Sequence, residues 1–318
     1  MWNPPDSTDR SGWSGSGDWS GPSASGAAPP PQPWQAAGAP GFDPADPLIS
    51  PDYAGWWARS TGIIKAGWRP LLALQLLGAV ISLPLLGYVS TQSAFNTREL
   101  QKSLEQQAVP EPPDFGNFIA SMFLGVGGSV VSYLLYALVL LAGVRVVVAV
   151  ATTGTADLRS ALAGAARRVF PLIGWQTLVG LLALVAFCAC VLPVFYVLAA
   201  TAVLPAVVTF ERGGVIARCF RLFHSDLGAS VARVATVFGL GLAVSVMASI
   251  PSIVLQPGAE TSTGPLVAGA IVMTVIQTVV QVAIGVVTAP MIVTAYADMR
   301  ARVEPLSTPV LVQELATA

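Results

Sequence analysis

The chain has 318 residues, of which 54% are hydrophobic and only 10% are charged, and its net charge is −1. Soluble domains carry roughly 25% charged residues, so this composition excludes an ordinary soluble domain and indicates a protein of the lipid bilayer. The basic residues are nearly all arginine, and Ala, Gly and Val are abundant. This usage is typical of a GC-rich genome and favours a bacterial plasma membrane.

The first segment, residues 1–50, is of low complexity and is rich in Gly, Ser and Pro. Such a segment cannot bury enough apolar surface to order itself, so we predict a disordered cytoplasmic tail. Its tryptophans could contact a protein partner, although a plain linker is the simpler interpretation. These residues are Trp2, Trp13, Trp19 and Trp34.

Six apolar segments follow, and a membrane span needs about 20 apolar residues. They cover residues 71–90, 118–150, 169–192, 194–210, 229–250 and 265–296. The third and fourth form one long apolar run, so we predict a tight turn at Pro193, where a backbone donor is missing. The predicted membrane domain is 51–300, and a short cytoplasmic C-terminal tail covers 301–318.

Basic residues are concentrated in alternate loops. The outer loop 91–117 has only Arg98 and Lys102, which acidic residues offset, and the loop 251–265 has none. The positive-inside rule therefore predicts that both termini are cytoplasmic and that the number of spans is even. The loops assigned to the cytoplasm contain Arg59, Lys65, Arg69, Arg159, Arg167, Arg168, Arg212, Arg218, Arg221, Arg233, Arg300 and Arg302.

A threefold rhythm precedes the odd-numbered spans. Each of them follows a basic amphipathic stretch: WWARSTGIIKAGWRP, ADLRSALAGAARRVFP and GVIARCFRLFHSDLG. We therefore predict an all-α, polytopic helical membrane protein. Its six transmembrane helices form three hairpins, and an amphipathic interfacial helix precedes each hairpin.

The second and third basic stretches predict a lipid-facing surface. At helical spacing, the third stretch has an apolar face of Val215, Cys219, Leu222 and Phe223. That face could lie at the acyl boundary, with the arginines opposite it on lipid phosphates. The simpler interpretation is that the arginines only hold the loops inside; the alternative is that they bind a specific lipid headgroup or a partner. The candidate lipid-headgroup or interface residues are Arg159, Arg167, Arg168, Arg218 and Arg221.

The sixth span carries a polar stripe. Amides in hydrocarbon need hydrogen-bond partners, so we expect the stripe to face other helices. A hydrated path or a ligand pocket is the alternative, and Gln176 of the third span is a candidate partner. The stripe contains Thr274, Gln277, Thr278 and Gln281.

Catalytic and nucleic-acid-binding motifs are not found. His224 is the only histidine, and its spacing from Cys219 does not put the two on one helical face, so we expect no metal and no cofactor. Phosphate-binding loops and nucleophile elbows are missing, which predicts a non-enzymatic protein. The basic patches are short and backed by apolar residues, so nucleic acid is not expected as a partner.

The stretch VLPAVVTFERGGVIARCFRLFHSDLGAS resembles a block in bacterial polytopic proteins grouped as the membrane domain of glycerophosphoryl diester phosphodiesterases. The stretch WARSTGIIKAGWRPLLAL is similar to the opening helix of that family. The resemblance implies the membrane fold over roughly residues 52–300. The family's catalytic module is separate and needs several histidines, so the resemblance implies no hydrolysis here. The matching residues are Pro205, Ala206, Glu211, Arg218, Arg221 and Leu222.

The sequence thus predicts an integral membrane protein without catalytic groups, a scaffold or lipid-associated accessory factor of the plasma membrane. Membrane lipids are the expected partners, and a protein could bind the N-terminal tail or the cytoplasmic helices. One alternative is a small-solute transporter or channel subunit that uses the polar stripe of the sixth span. Another is the membrane half of an enzyme or efflux system that a second chain completes.

Overall fold

The computed structural model describes residues 43–105, 115–254 and 262–317, so most of the predicted N-terminal tail lies outside it. The regular elements of these residues are all helices, which confirms the all-α prediction. The helices are α1 Tyr53–Glu105, α2 Phe115–Thr153, α3 Leu158–Ala166, α4 Val169–Ala189, α5 Val191–Ala200, α6 Leu204–Phe210, α7 Val215–His224, α8 Leu227–Val254, α9 Thr263–Ala301 and α10 Thr308–Thr317.

Six stretches of helix in the described residues are long and apolar enough to cross a membrane, as the sequence predicts. They are Tyr53–Glu99, Gly125–Thr153, Val169–Ala189, Val191–Phe210, Leu227–Ile250 and Thr263–Ala301. The fourth stretch is not one helix, because a turn at residues 201–203 separates α5 from α6. The chain is therefore a multi-pass membrane protein by the length and composition of its helices.

The turn predicted at Pro193 lies three residues earlier. The helix breaks at Cys190, whose backbone is extended with φ −175° and ψ 160°. Pro193 is the third residue of α5. Proline is tolerated in the first turn of a helix, where the backbone N–H groups have no intrahelical acceptor, so it follows the break instead of forming it.

The three predicted basic stretches differ in structure. The first is the beginning of α1, a continuous helix that passes through Pro70 and Pro84. The second and third are the separate helices α3 and α7. Asp157 caps α3 by accepting from the backbone N–H groups of Arg159 and Ser160. Gly214, at φ +57°, begins α7. The hairpin arrangement and the position of α3 and α7 at the membrane surface stay predictions.

The core of the fold is built around α9 and α6. Helix α1 packs along α9 and α2, and α8 also packs along α9. Each of the seven residues of α6 is buried. Gly67 allows a close approach of α1 to α2, because a Cβ there would stand 2.8 Å from Cγ1 of Val150. Small residues at such contacts let membrane helices approach closely.

Described residues outside the range 51–300 also belong to this core. Leu48 and Ile49 before α1 are buried, and so is Leu311 of α10. Asp46 joins the two segments, because its carboxylate accepts from the backbone N–H of Leu48 and from the backbone N–H and hydroxyl of Thr308. The packed fold therefore extends beyond both expected boundaries.

Candidate functional site

Arginines gather at the end of the bundle where α1 begins and α9 ends. Arg59 and Arg212 donate to backbone carbonyls, and Arg69 lies over the ring of Trp68. The others fall into two sets. The paired set forms ion pairs with carboxylates and consists of Arg218, Arg233, Arg300 and Arg302. The unpaired set forms no side-chain hydrogen bond or ion pair within the described residues and consists of Arg145, Arg159, Arg167, Arg168 and Arg221.

The deepest ion pair joins α8 to α9. Nη2 of Arg233 lies 3.2 Å from Oδ2 of Asp298, and the two side chains are 2% and 0% exposed. The backbone N–H of Ser50 donates to the other carboxylate oxygen, and Arg233 donates to the carbonyl of Asp52. These two hydrogen bonds hold the segment before α1 against both helices. Removing one partner of the buried pair would leave an uncompensated charge.

Arg300 fastens α10 to α9. Its Nη1 and Nη2 donate to the two carboxylate oxygens of Glu314 at 2.6 and 2.7 Å. Its Nε contacts Glu304, and Nη1 also donates to the hydroxyl of Tyr296 at 3.1 Å. Such a two-pronged contact between guanidinium and carboxylate is among the stronger hydrogen bonds in proteins. It holds the segment after α9 in a fixed place.

Arg218, a predicted headgroup residue, meets two carboxylates. Its Nε lies 2.7 Å from Glu211 and its Nη2 lies 2.8 Å from Glu304. Burial disfavours the charged form of Glu304, but Arg300 and Arg218 outweigh it and hold the pKa of Glu304 below its ordinary value of 4.5. The guanidinium of Arg218 thus links α6, α7 and the end of α9.

The apolar face predicted for α7 is confirmed, but it packs inside the protein and not at an acyl boundary. Its residues Val215, Cys219, Leu222 and Phe223 are at most 3% exposed and belong to the core. Burial raises the pKa of the Cys219 thiol to about 12, so it stays protonated. His224 lies apart from it, with Nδ1 on the carbonyl of Phe220 and Nε2 at the hydroxyl of Tyr196.

The unpaired set centres on a contact between α2 and α3. A Cβ placed on Gly164 would collide with the guanidinium of Arg145, at 2.5 Å from its Cζ, so this guanidinium lies directly on the surface of α3. The positive charges of Arg168 and Arg167 act on Arg145. Burial and the charge of Arg212 lower the pKa of Arg168. Like charges are therefore gathered here and oppose one another.

No carboxylate within the described residues offsets these charges by an ion pair. Asp157 is the nearest in sequence, but it caps α3 by accepting at 3.1 and 3.2 Å, and those backbone hydrogen bonds lower its pKa. The remaining acids at this end have partners elsewhere in the fold. They are Asp43, Asp46, Asp52, Glu211, Asp226, Asp298, Glu304 and Glu314.

The polar stripe of the sixth span does not form one surface. Thr274 is buried, and its hydroxyl lies 2.6 Å from that of Ser90 on α1. Thr278 donates to the carbonyl of Thr274 within α9. Gln277 and Gln281, in contrast, are exposed on the outside of the described helices, contrary to the expectation that they face neighbours.

Gln176, the predicted partner of the stripe, is also apart from it. Its buried side-chain oxygen has no hydrogen-bond partner within the described residues. On α9, the contact with α1 runs instead through Gly285, where a Cβ would stand 2.5 Å from the amide of Gln75. The side of α9 that meets α1 therefore carries Thr274 and Gly285, and the two glutamines fall outside it.

Sequence reasoning missed the acids of the paired set. Asp226 and Asp298 each lie within ten residues of an arginine in sequence, but their partners, Arg302 and Arg233, come from distant segments. Glu211 pairs with Arg218 of the next helix along the chain. Comparison of the chain with protein-family models, with curated proteins and with solved structures finds no match. The function is therefore argued from the geometry of the two arginine sets.

Proposed function

We propose that this chain is a multi-pass protein of the bacterial plasma membrane with both termini in the cytoplasm. In this proposal it acts as a scaffold or lipid-associated accessory factor and performs no catalysis. The observation that supports it is the unpaired set of arginines, which lies beside a paired set at the same end of the helices.

Anionic lipids of the inner leaflet supply the negative charge that balances the unpaired arginines. A basic residue near such a surface contributes about 1 kcal/mol of attraction, which decays within a Debye length. Arg159, Arg167 and Arg221 are exposed, so their guanidinium groups are accessible to headgroups. The paired set, by contrast, gives this end of the fold a fixed shape on which those residues are presented.

The reactive side chains support a role without catalysis. The Cys219 thiol, with its pKa raised to about 12, does not supply a thiolate nucleophile near neutral pH. Both ring nitrogens of His224 are engaged by Phe220 and Tyr196. The outward position of Gln277 and Gln281 likewise favours this proposal over a solute path through the six spans.

A lipid-dependence experiment tests the proposal. The purified protein in a neutral detergent is supplemented with phosphatidylglycerol or with phosphatidylcholine, and the midpoint of thermal unfolding is measured. Because ligands of the folded state stabilise it, we expect phosphatidylglycerol to raise the midpoint more than phosphatidylcholine. Equal midpoints would contradict a lipid-associated role, and so would turnover of glycerophosphodiesters by the purified protein.

Crosslinking in native membranes tests the scaffold part. Chemical crosslinking followed by purification of the full chain should recover a defined protein partner. The matched control is the same chain without residues 1–42, which lie outside the described fold. If both forms recover the partner, the partner contacts the helices. If only the full chain recovers it, the partner contacts the tail. Recovery of lipid alone by both forms would overturn the scaffold role.

A further inference from the structure

Arg145 is an unusual residue for its surroundings. It lies on α2, one of the helices apolar enough to span a membrane, and its neighbours Val144, Val146 and Val147 are buried. An ionisable residue in such a helix is costly, and it commonly marks a functional site. The guanidinium of Arg145 contacts Gly164 of α3 and forms no ion pair with a carboxylate of the described residues. This contact fixes where its charge is presented.

Two further arginines follow Gly164 on the same short stretch. Arg167 and Arg168 come three and four residues after it, at the junction of α3 and α4. The backbone N–H of Arg168 donates to the carbonyl of Ala165 at 2.9 Å, which makes this junction a tight turn. Gly164 and Ala165 are small, so α3 approaches α2 closely and brings its end near Arg145.

Arg212 approaches the same junction from the end of α6. It follows that helix by two residues, and α6 packs against both α2 and α4. Its Nη2 donates to the carbonyl of Thr317 at 2.6 Å, which leaves its remaining N–H groups without a partner among the described residues. We name the group of Arg145, Arg167, Arg168 and Arg212 the α3–α4 corner.

The first turn of α4 lies at this corner, directly after the C-terminus of α3, whose carbonyl groups carry the opposite partial charge. Arg168 is the N-cap residue of α4, and no side chain caps the helix there. The free backbone N–H groups at a helix N-terminus carry partial positive charge and favour anions. The charges of Arg167 and Arg168 act on Arg145, and that of Arg212 acts on Arg168. No carboxylate in the described residues forms an ion pair with any of these four arginines.

We infer that the α3–α4 corner binds the phosphate group of an anionic lipid. This inference rests on the proposed function and assigns it a specific site. Phosphate oxygens suit the planar fork of a guanidinium, which donates two parallel hydrogen bonds. A lipid is the source favoured here because the corner continues into an apolar outer surface on α4. Phe170, two residues after Arg168, is 76% exposed, and Leu181 is 55% exposed.

The test measures lipid binding by native mass spectrometry of the full chain in detergent. The probes are phosphatidic acid, phosphatidylcholine and inorganic phosphate. The variant R145Q/R168Q removes two charges from the corner. Its matched control, R98Q/K102Q, removes two positive charges near the other end of α1, away from the corner. At about fivefold per arginine, we expect the corner variant to bind phosphatidic acid roughly 25-fold more weakly, and the control to bind as the wild type does.

A second variant keeps every charge and changes only geometry. G164L places a side chain where the guanidinium of Arg145 lies, so that Arg145 must move off α3. We expect weaker binding of phosphatidic acid at unchanged net charge. The double variant keeps Gly164, so it decides the question if G164L does not fold.

The outcomes separate the site from the wider proposal. An equal loss in both double variants would overturn the site and leave a diffuse attraction to anionic lipid, which the proposed function allows. Wild-type protein that binds phosphatidic acid no better than phosphatidylcholine would overturn both. Displacement of bound phosphatidic acid by inorganic phosphate at equal concentration would overturn the lipid as the source of the phosphate.

Discussion

Two groups of arginines lie at the same end of the molecule and differ in their contacts. One group is on α8 and α9, and the other is on or next to α2, α3 and α4. Arg233 and Arg300 reach acids from other helices or segments and become part of the fold. Arg145 and Arg168 reach no such acid among the described residues. The difference shows that the tertiary packing determines which arginines at this end meet a carboxylate and become part of the fold.

The depth of the side chains explains part of this difference. The pair of Arg233 and Asp298 is almost fully buried, where an unpaired charge is strongly unfavourable. Arg167 and Arg221 are exposed, so water or a headgroup can satisfy them. The comparison therefore predicts that substitutions in the paired set lower stability and that substitutions in the unpaired set change lipid binding.

The largest effect is expected for Asp298→Asn. It leaves the Arg233 guanidinium buried without its carboxylate, which lowers the free energy of unfolding by about 3–5 kcal/mol. Denaturant unfolding in detergent micelles measures this value. As a control, D298L with R233M removes both charges and should be more stable than the single variant. A single variant as stable as the wild type would show that this ion pair does not stabilise the fold.

A smaller effect is expected for Arg300→Gln. The variant loses both hydrogen bonds to Glu314, so α10 should detach locally at a cost of about 1–3 kcal/mol. Hydrogen exchange of residues 308–317 measures this opening. Gln313→Ala, an exposed change on the same helix, is the control and should leave exchange unchanged. Equal exchange rates in the two variants would show that α10 is held without Arg300, for example by Leu311 and by the hydrogen bonds of Thr308 to Asp46.

The pKa of Glu304 predicts a pH dependence of the paired set. Because Arg300 and Arg218 hold this pKa below 4.5 in the folded state, its stabilising contribution is present above that value. The contribution is lost as the pH falls through the lowered pKa. Between about pH 5 and about pH 3, the wild type should lose more stability than E304Q in thermal unfolding. Parallel curves for the two proteins would contradict this ionic role.

The smallest effect on stability is expected for the two glutamines of the predicted polar stripe. Gln277 and Gln281 are exposed, so Q277L/Q281L removes no contact within the described fold. We expect a thermal midpoint within error of the wild type. The buried control T274V loses the hydrogen bond to Ser90 and should be destabilised by about 1 kcal/mol. A clear destabilisation by the glutamine variant would show that these amides have partners.

The fold was predictable where a single segment determines its own structure. Length and hydrophobicity suffice for the six candidate spans, and helical spacing suffices for the apolar face of α7. The break at Cys190 was misplaced, because proline in a first turn and proline at a break look alike in sequence.

The site was predictable only in part, because it depends on contacts between distant segments. Arg218 and Arg168 have the same sequence signal, a basic residue on a short amphipathic helix. Only the packing shows that Glu211 and Glu304 engage the former. The position of Arg145 on Gly164 likewise depends on how α3 folds back on α2. Periodicity determines the face of a residue but not the partner opposite that face.

One pair of variants tests the division of the arginines most directly. R218Q and R168Q each remove one positive charge from a short stretch at the same end of the molecule, and their thermal midpoints are compared in neutral detergent without added lipid. We predict that R218Q lowers the midpoint, because Glu211 and Glu304 lose their partner, while R168Q leaves it unchanged or raises it by relieving repulsion. Equal losses in the two variants would contradict the division into a paired set that stabilises the fold and an unpaired set that does not.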